Sequence, residues 1–294
     1  MKKRLLLTGA SGFVGYNFQE KLSKDYKVFA HYNRNKFVKR KCTPCRFDLA
    51  DSKALHNVFD EIKPHIVIHS AAISNVEDCE KNPSLAFKIN RDITGKIAEL
   101  CSKHNSKLVF LSTDIVFDGK KGNYVETDEV NPLNAYASSK AEAEEEIKRK
   151  IDDYLILRIS LTYGLKNPKY KSFLDKMIDS LKDGRELNLF TDQIRCPNYA
   201  EDVAEIMLRL IEKKQKGIFH CAGPQALSRY EIGKIVVDTF NLDERKIKPV
   251  KVDEYQLPFK NGRDCSLNCQ KAYSISGFVP KKFVERLIAV KKEY

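Results

Sequence analysis

The chain has 294 residues, 42% of them hydrophobic and 31% charged, enough apolar surface for one large α/β domain or a core with a smaller lobe; a disordered or low-complexity chain is excluded. Lysine and arginine (52) exceed aspartate and glutamate (40) by a net +12, but in scattered short runs such as Lys39-Arg40-Lys41, which points to an anionic small molecule before a nucleic acid. No apolar run approaches the ~18 residues of a membrane helix, and the opening apolar run stops at Thr8-Gly9, short of a signal-peptide core, so a soluble, cytoplasmic protein is expected.

Leu5-Leu6-Leu7-Thr8 reads as a short buried strand that breaks into Gly9-Ala10-Ser11-Gly12-Phe13-Val14-Gly15, and Phe13, Val14, Phe18 and Leu22 then keep a helical period. Glycine permits positive φ and close approach of backbone to phosphate, and a helix start offers unpaired N–H groups, so this order of elements points to a dinucleotide. Residues 26–31 form the second strand, which ends in Tyr32-Asn33-Arg34-Asn35-Lys36. A carboxylate here takes the ribose hydroxyls of NAD, whereas arginine accommodates the 2′-phosphate of NADP. With Arg34 and Lys36 and no acidic residue, NADP(H) is favoured over NAD(H); the alternative is that Arg34 is an ordinary solvated loop residue.

Residues 46–49 read as a third strand that brings Asp48 near an adenine ring, and Asp51 as the cap of a helix with Leu55, Val58, Phe59 and Ile62 on its apolar face. Ile66-Val67-Ile68 has the β-branched character of a strand buried on both faces. It runs into Ser70-Ala71-Ala72-Ile73, small residues that let a cofactor lie against the backbone or simply pack well. Leu85, Ile89, Ile93, Ile97 and Leu100 predict one long helix, and the strand at 108–111 leads to Ser112-Thr113-Asp114. Such alternation predicts a doubly wound, Rossmann-type parallel sheet, with Thr113 and Asp114 at a carboxyl end where these sheets bind ligands.

The next helix carries Tyr136 and Lys140 one turn apart on the same face. A phenol of pKa ≈ 10 is a poor acid–base group at neutral pH, and an ammonium beside it draws that value down; alone, the pair is also common surface decoration. Later helical faces follow at Phe173–Leu181, Val203–Leu210, Ile232–Phe240 and 281–291, with a strand at 217–220 returning to the sheet. The expected division is a cofactor domain at 1–160, rejoined at about 199–220, and a smaller discontinuous substrate lobe at 161–198 and 221–294. Cys42-Thr43-Pro44-Cys45 has redox or half-zinc spacing, with Cys265 and Cys269 as conceivable partners; no histidine adjoins either pair, and structural thiols without a metal are expected over a metal or disulfide.

Taken together, the motifs resemble the extended short-chain dehydrogenase/reductase family, most of all the dTDP-4-dehydrorhamnose reductases and their relatives, which include the regulatory β subunit of methionine adenosyltransferase. The resemblance rests on residues 8–15, 70–72, 111–119, 131–140 and 157–164, with 191–193, 199–203 and 217–223 further on, and so spans nearly the whole chain. It implies hydride transfer from NADPH to the C4 carbonyl of a nucleotide-linked 4-keto-6-deoxy sugar. Tyr136 would donate the proton, Lys140 would lower the Tyr136 pKa and hold the nicotinamide ribose, and Thr113 would bind the carbonyl oxygen. Pyrophosphate would lie on Gly9, Ser11, Gly12, Phe13, Val14 and Gly15, adenine between Asp48 and Leu49, the middle of the cofactor on Ala71, Ala72 and Ile73, and the sugar against Asp114 and Leu161.

Leu161 stands where many rhamnose-pathway reductases carry tryptophan, and Asn261-Gly262-Arg263-Asp264 replaces their Arg-Pro, which leaves the sugar open. A 4,6-dehydratase is disfavoured because Ile115, not glutamate, follows Asp114. A 4-epimerase would keep Thr113, Tyr136 and Lys140 but needs tightly held NAD, against which Arg34 weighs. A non-catalytic, NADP-binding regulatory subunit is the third reading, and it adds a protein partner. The other expectations are a nucleotide-sugar ligand, no nucleic acid or membrane, and compatibility with a homodimer.

Overall fold

Seven strands form one parallel sheet: β1 (Arg4–Thr8), β2 (Lys27–Tyr32), β3 (Thr43–Arg46), β4 (Ile66–His69), β5 (Lys107–Thr113), β6 (Tyr154–Ile159) and β7 (Gly217–His220), in the order β7-β6-β5-β4-β1-β2-β3. The computed structural model describes residues 2–255 and 258–294. Its principal helices are α1 (Phe13–Asp25), α2 (Ser52–Ile62), α3 (Ile93–Lys103), α4 (Ala135–Lys150), α5 (Phe173–Lys182), α6 (Ala200–Glu212), α7 (Arg229–Phe240), α8 (Gln270–Ser276) and α9 (Phe283–Val290).

The apolar strands are continuous because both faces of the sheet are covered. Leu5 and Leu7, Ile66 and Ile68, and Val109 and Leu111 enter one cluster with Phe18 and Leu22 of α1 and Val203, Ile206 and Met207 of α6. Leu6, Val67, Leu108 and Phe110 enter the opposite cluster with Leu55 and Phe59 of α2, Ile97 of α3 and Ile147 of α4. Burying each of these large side chains contributes roughly 1.5–3 kcal/mol. This is the doubly wound, Rossmann-type α/β fold the sequence predicts. The strand order reverses between β1 and β4, so the loops after those strands part at the carboxyl edge and leave the crevice where such sheets take ligands.

A third cluster, outside the sheet, gathers Tyr163, Leu174, Ile178, Ile232, Val236, Phe283 and Leu287 around the parallel pair Leu187–Phe190 and Ile247–Val250. One part of the stretch 221–294 does not join it. Leu267, Cys269, Ala272 and Tyr273 pack into the first sheet cluster, and Tyr273 donates its hydroxyl to the Ala222 carbonyl just beyond β7.

Two local expectations shift. The third strand lies at Thr43–Arg46 rather than 46–49, because Phe29 to Tyr32 of β2 pair with residues 43–46 and Asp48 instead closes a turn by accepting the Ala50 N–H. The long helix expected from Leu85 onward is interrupted: Pro83–Phe87 and α3 are joined by a wide π-turn at Lys88–Asp92, and Leu85 is 43% exposed.

Candidate active site

Helix α1 starts at Gly12 without a side-chain cap and without an acidic residue in its first turn, whereas Asp51, Asn134, Ser172 and Ser228 cap other helices. The backbone of the glycine turn is otherwise committed. Gly9 donates its N–H to His31 Nδ1 at 3.2 Å, Ala10 to the His31 carbonyl and Gly12 to the Gly9 carbonyl. The amides of Phe13, Val14 and Gly15 are helix-start donors with no intrahelical carbonyl to reach, at the positive end of the helix dipole. His31, buried under the turn, donates Nε2–H to the Phe47 carbonyl; burial pushes its pKa down to about 4 and keeps it a neutral acceptor for Gly9. A Cβ on Gly9, which has φ +66°, would lie 2.6 Å from Ala71 N, and one on Gly15 only 2.3 Å from the Gly9 carbonyl oxygen. Gly15→Ala is therefore expected to cost about 1–3 kcal/mol of stability in urea denaturation, and a parent-like midpoint would reject this tight seating.

Across the crevice, the 70–73 segment is held by a buried polar chain. Asn90, in the π-turn, accepts the Ile73 N–H at 2.9 Å and donates to the Ile73 carbonyl and to Ser139 Oγ, which donates to the Tyr136 carbonyl. Thr94 donates its hydroxyl hydrogen to the Asn90 carbonyl, so it accepts from His69 Nε2, and His69 Nδ1 accepts from Thr8. Burial lowers the His69 pKa to about 3, aided by Lys140 and His31, so this chain stays uncharged.

Thr113 ends β5, and Tyr136 and Lys140 lie in the first two turns of α4, whose cap Asn134 accepts the Ala137 N–H. Lys140 is 2% exposed with its ammonium 3.8 Å from the centre of the Phe110 ring; burial brings its pKa down to about 7, against the pull of Glu144. Tyr136 departs from the expected direction. Burial first, then the Asp114 carboxylate, push its pKa above the ordinary phenol value, with Thr113 acting the other way.

Asp114 is also not free for a sugar. It is buried, takes the Ser160 hydroxyl at 2.6 Å and the Thr113 hydroxyl at 3.2 Å, and faces Arg195 Nε at 3.7 Å; burial raises its pKa and Arg195 opposes this. Thr113 can donate to a ligand only by turning its hydroxyl away from Asp114. Arg195 donates in addition to the carbonyls of Ile194, Gly262 and Arg263, and the nearby Arg229 guanidinium lies over the Phe173 ring. Burial and the Arg195 charge lower the Arg229 pKa to about 10, so two guanidiniums stand against one carboxylate. Beneath the site, Arg158 and Glu144 form a fully buried pair at 2.7 Å, with Ser112 donating to Glu144.

The remaining expected residues lie apart from these. Arg34 and Asp48 are exposed, and Leu49 is buried in the second sheet cluster with Ala71 packed against that cluster, so Leu49 offers its side chain to the core rather than to adenine. Leu161 packs on the third cluster, and exposed Arg263 pairs with Asp253. All eight cysteines are free thiols that burial holds above their ordinary pKa, poor nucleophiles and poor metal ligands. Among the described residues no helix is long and apolar enough to cross a membrane. His31, His69, Asn90, Arg195 and Arg229 escape sequence reasoning because their partners are remote in the chain.

A parallel sheet with an uncapped glycine turn after β1, a threonine at the end of β5 and a Tyr-x-x-x-Lys pair on α4 is the motif set of the extended short-chain dehydrogenase/reductase family. The chain belongs to the RmlD-like family: the model of the RmlD substrate binding domain matches residues 2–294. It is 31% identical to the dTDP-4-dehydrorhamnose reductase of Aggregatibacter actinomycetemcomitans over 245 residues, 80% of this chain and 78% of that protein. It is 29% identical to the methionine adenosyltransferase 2 subunit beta of Bos taurus over 279 residues, 92% of this chain and 81% of that one. The crystal structure of dTDP-4-dehydrorhamnose reductase from Bacillus anthracis in complex with NADP superposes with a TM-score of 0.87 at 28% identity, over 98% of both chains.

Proposed function

We propose that the protein is an NADPH-dependent reductase of a nucleotide-linked 4-keto-6-deoxy sugar. The observation that carries this reading is the convergence of Thr113, Tyr136 and Lys140 at the carboxyl edge of the sheet, across the crevice from an uncapped helix start. The glycine turn fits a dinucleotide: it has helix-start N–H donors, no competing cap and no room for a Cβ at Gly9 or Gly15. Gly9, Ser11, Gly12, Phe13, Val14 and Gly15 would bind the pyrophosphate and Ala71, Ala72 and Ile73 the middle of the cofactor. A nicotinamide held there supplies the hydride.

The chain's own residues handle the proton. Tyr136, kept protonated through neutral pH by burial, donates from its phenol oxygen to the alkoxide formed at the sugar carbonyl. Thr113 hydrogen-bonds the same oxygen as charge accumulates, once released from Asp114. Lys140 carries a proton over only part of the neutral range in the free protein, and its ammonium is favoured as anionic charge develops on Tyr136. Asp114 acts through Thr113 and Arg195 rather than on the sugar, and the excess positive charge of Arg195 and Arg229 suits an anionic nucleotide-sugar. The lobe around the third cluster would hold that substrate.

The test is turnover of NADPH with dTDP-, UDP- and GDP-linked 4-keto sugars; oxidation with at least one is expected, and none with any of them rejects the reductase. Arg34→Ala is expected to weaken NADPH roughly tenfold and leave NADH within twofold, since only the former carries the phosphate; an unchanged preference removes Arg34 from the site.

The similarity to methionine adenosyltransferase 2 subunit beta over 92% of the chain favours a second reading, a regulatory subunit that binds NADP(H) without turnover. A stable complex with a methionine adenosyltransferase catalytic subunit on co-purification, together with an inactive substrate screen, would support it.

A further inference from the structure

We infer that Lys169, supplied by the stretch beyond β6, completes the site for the 2′-phosphate of the cofactor and acts as a specificity-determining residue; the inference rests on the NADP reading above.

The stretch 165–171 runs as a strap over the glycine turn and is fastened at three points. Buried Asn17 of α1 grips Leu165 at both its amide and its carbonyl, at 2.7 and 3.2 Å. Asn167, also buried, donates Nδ2–H to the Ser11 carbonyl at 3.2 Å, while its Oδ1 accepts the N–H groups of Lys169 and Tyr170 and so shapes the tip. At the tip, Lys169 Nζ donates to Asn35 Oδ1 at 3.1 Å, and Asn35 Nδ2 donates to the Tyr170 hydroxyl at 3.2 Å.

Asn35 lies between Arg34 and Lys36, just past the end of β2, where the adenosine ribose of a cofactor on this fold is read. The strap therefore brings a third cation to Arg34 and Lys36. Among the described residues none of the three has a carboxylate within ion-pair distance, although neighbouring Lys39 pairs with Glu20 and Lys171 with Asp179. Lys169 is held instead by a neutral amide, which fixes its position without neutralising its charge. A group of unneutralised cations held beside a ribose site is matched by a phosphate monoester of near −2 charge rather than by hydroxyl groups.

Binding calorimetry of NADP⁺ and NAD⁺ to the parent, Lys169→Gln and Lys169→Arg tests this without turnover. Lys169→Gln is expected to raise the NADP⁺ Kd about tenfold and leave that of NAD⁺ unchanged, and Lys169→Arg to restore the parent value. The NADP⁺ loss should shrink as salt is raised, because the site is exposed. An unchanged NADP⁺ Kd in Lys169→Gln, or equal weakening of both cofactors, overturns the inference while leaving the NADP reading standing. A parent protein that prefers NAD⁺ overturns that reading and this inference with it.

Discussion

Tyr136→Phe is expected to lower kcat by roughly 10²–10⁴-fold while the NADP⁺ Kd stays within about twofold. The substitution removes the only atom that distinguishes the phenol from a ring of the same shape, in a half-buried position of the second helical residue of α4, so the fold and cofactor cradle are left as they are. Because burial raises the Tyr136 pKa, the donor should remain protonated well past neutrality. The alkaline limb of kcat/KM in the parent is then set by Lys140. Its ammonium is the useful form, is present below its pKa and is lost as pH rises through about 7 in the free protein. Steady-state kinetics from about pH 6 to about pH 11 check both statements. Full activity in Tyr136→Phe rejects the phenol as the acid, and a limb that appears only near the ordinary phenol value of ≈ 10 rejects the assignment to Lys140.

The largest effect on stability is expected at the pair beneath the site. Arg158→Met should lower the urea-derived stability by about 3–5 kcal/mol, because it leaves the Glu144 carboxylate buried with the Ser112 hydroxyl as its remaining hydrogen bond and no cation paired to it, Lys140 acting only from a distance. Arg158 also lies 5.0 Å from the Phe117 ring centre and 3.5 Å from His220 Nε2, so its loss loosens β6, β7 and the loop after β5 together. The double variant Arg158→Met, Glu144→Leu should recover most of the loss, since two apolar side chains avoid the desolvation that a lone carboxylate suffers. A loss below about 1 kcal/mol in the single variant, or a double variant no better than the single, would show that the charge pair is not what matters there.

The sequence made visible whatever depends on neighbours in the chain. The glycine turn, the apolar runs of β1, β4 and β5 and the Tyr136–Lys140 spacing are local patterns, and each lies on the element that its period predicts. Features decided by distant partners were not visible. Leu85 continues a helical period, yet Asn90 bonds to Ile73 and the chain takes a wide turn between them. Asp114 looks like a free carboxylate beside Thr113 until Ser160 and Arg195, far along the chain, are seen to hold it. The Tyr136 pKa moves opposite to the expectation from its lysine neighbour, because burial dominates and the Asp114 carboxylate adds to it.

The late arrival of β7 has a consequence for synthesis. Until Gly217–His220 emerges, β6 is an open edge rich in Leu155, Ile156 and Leu157, and the 267–273 stretch that seals the first face comes later still. At about 5–20 residues per second, a translating ribosome leaves that edge uncovered for roughly three to twelve seconds. An unpaired hydrophobic edge is a template for association with other chains. The nascent protein is thus most exposed to aggregation and most in need of a chaperone in that interval, after the first six strands of the sheet have been made and before the seventh has docked.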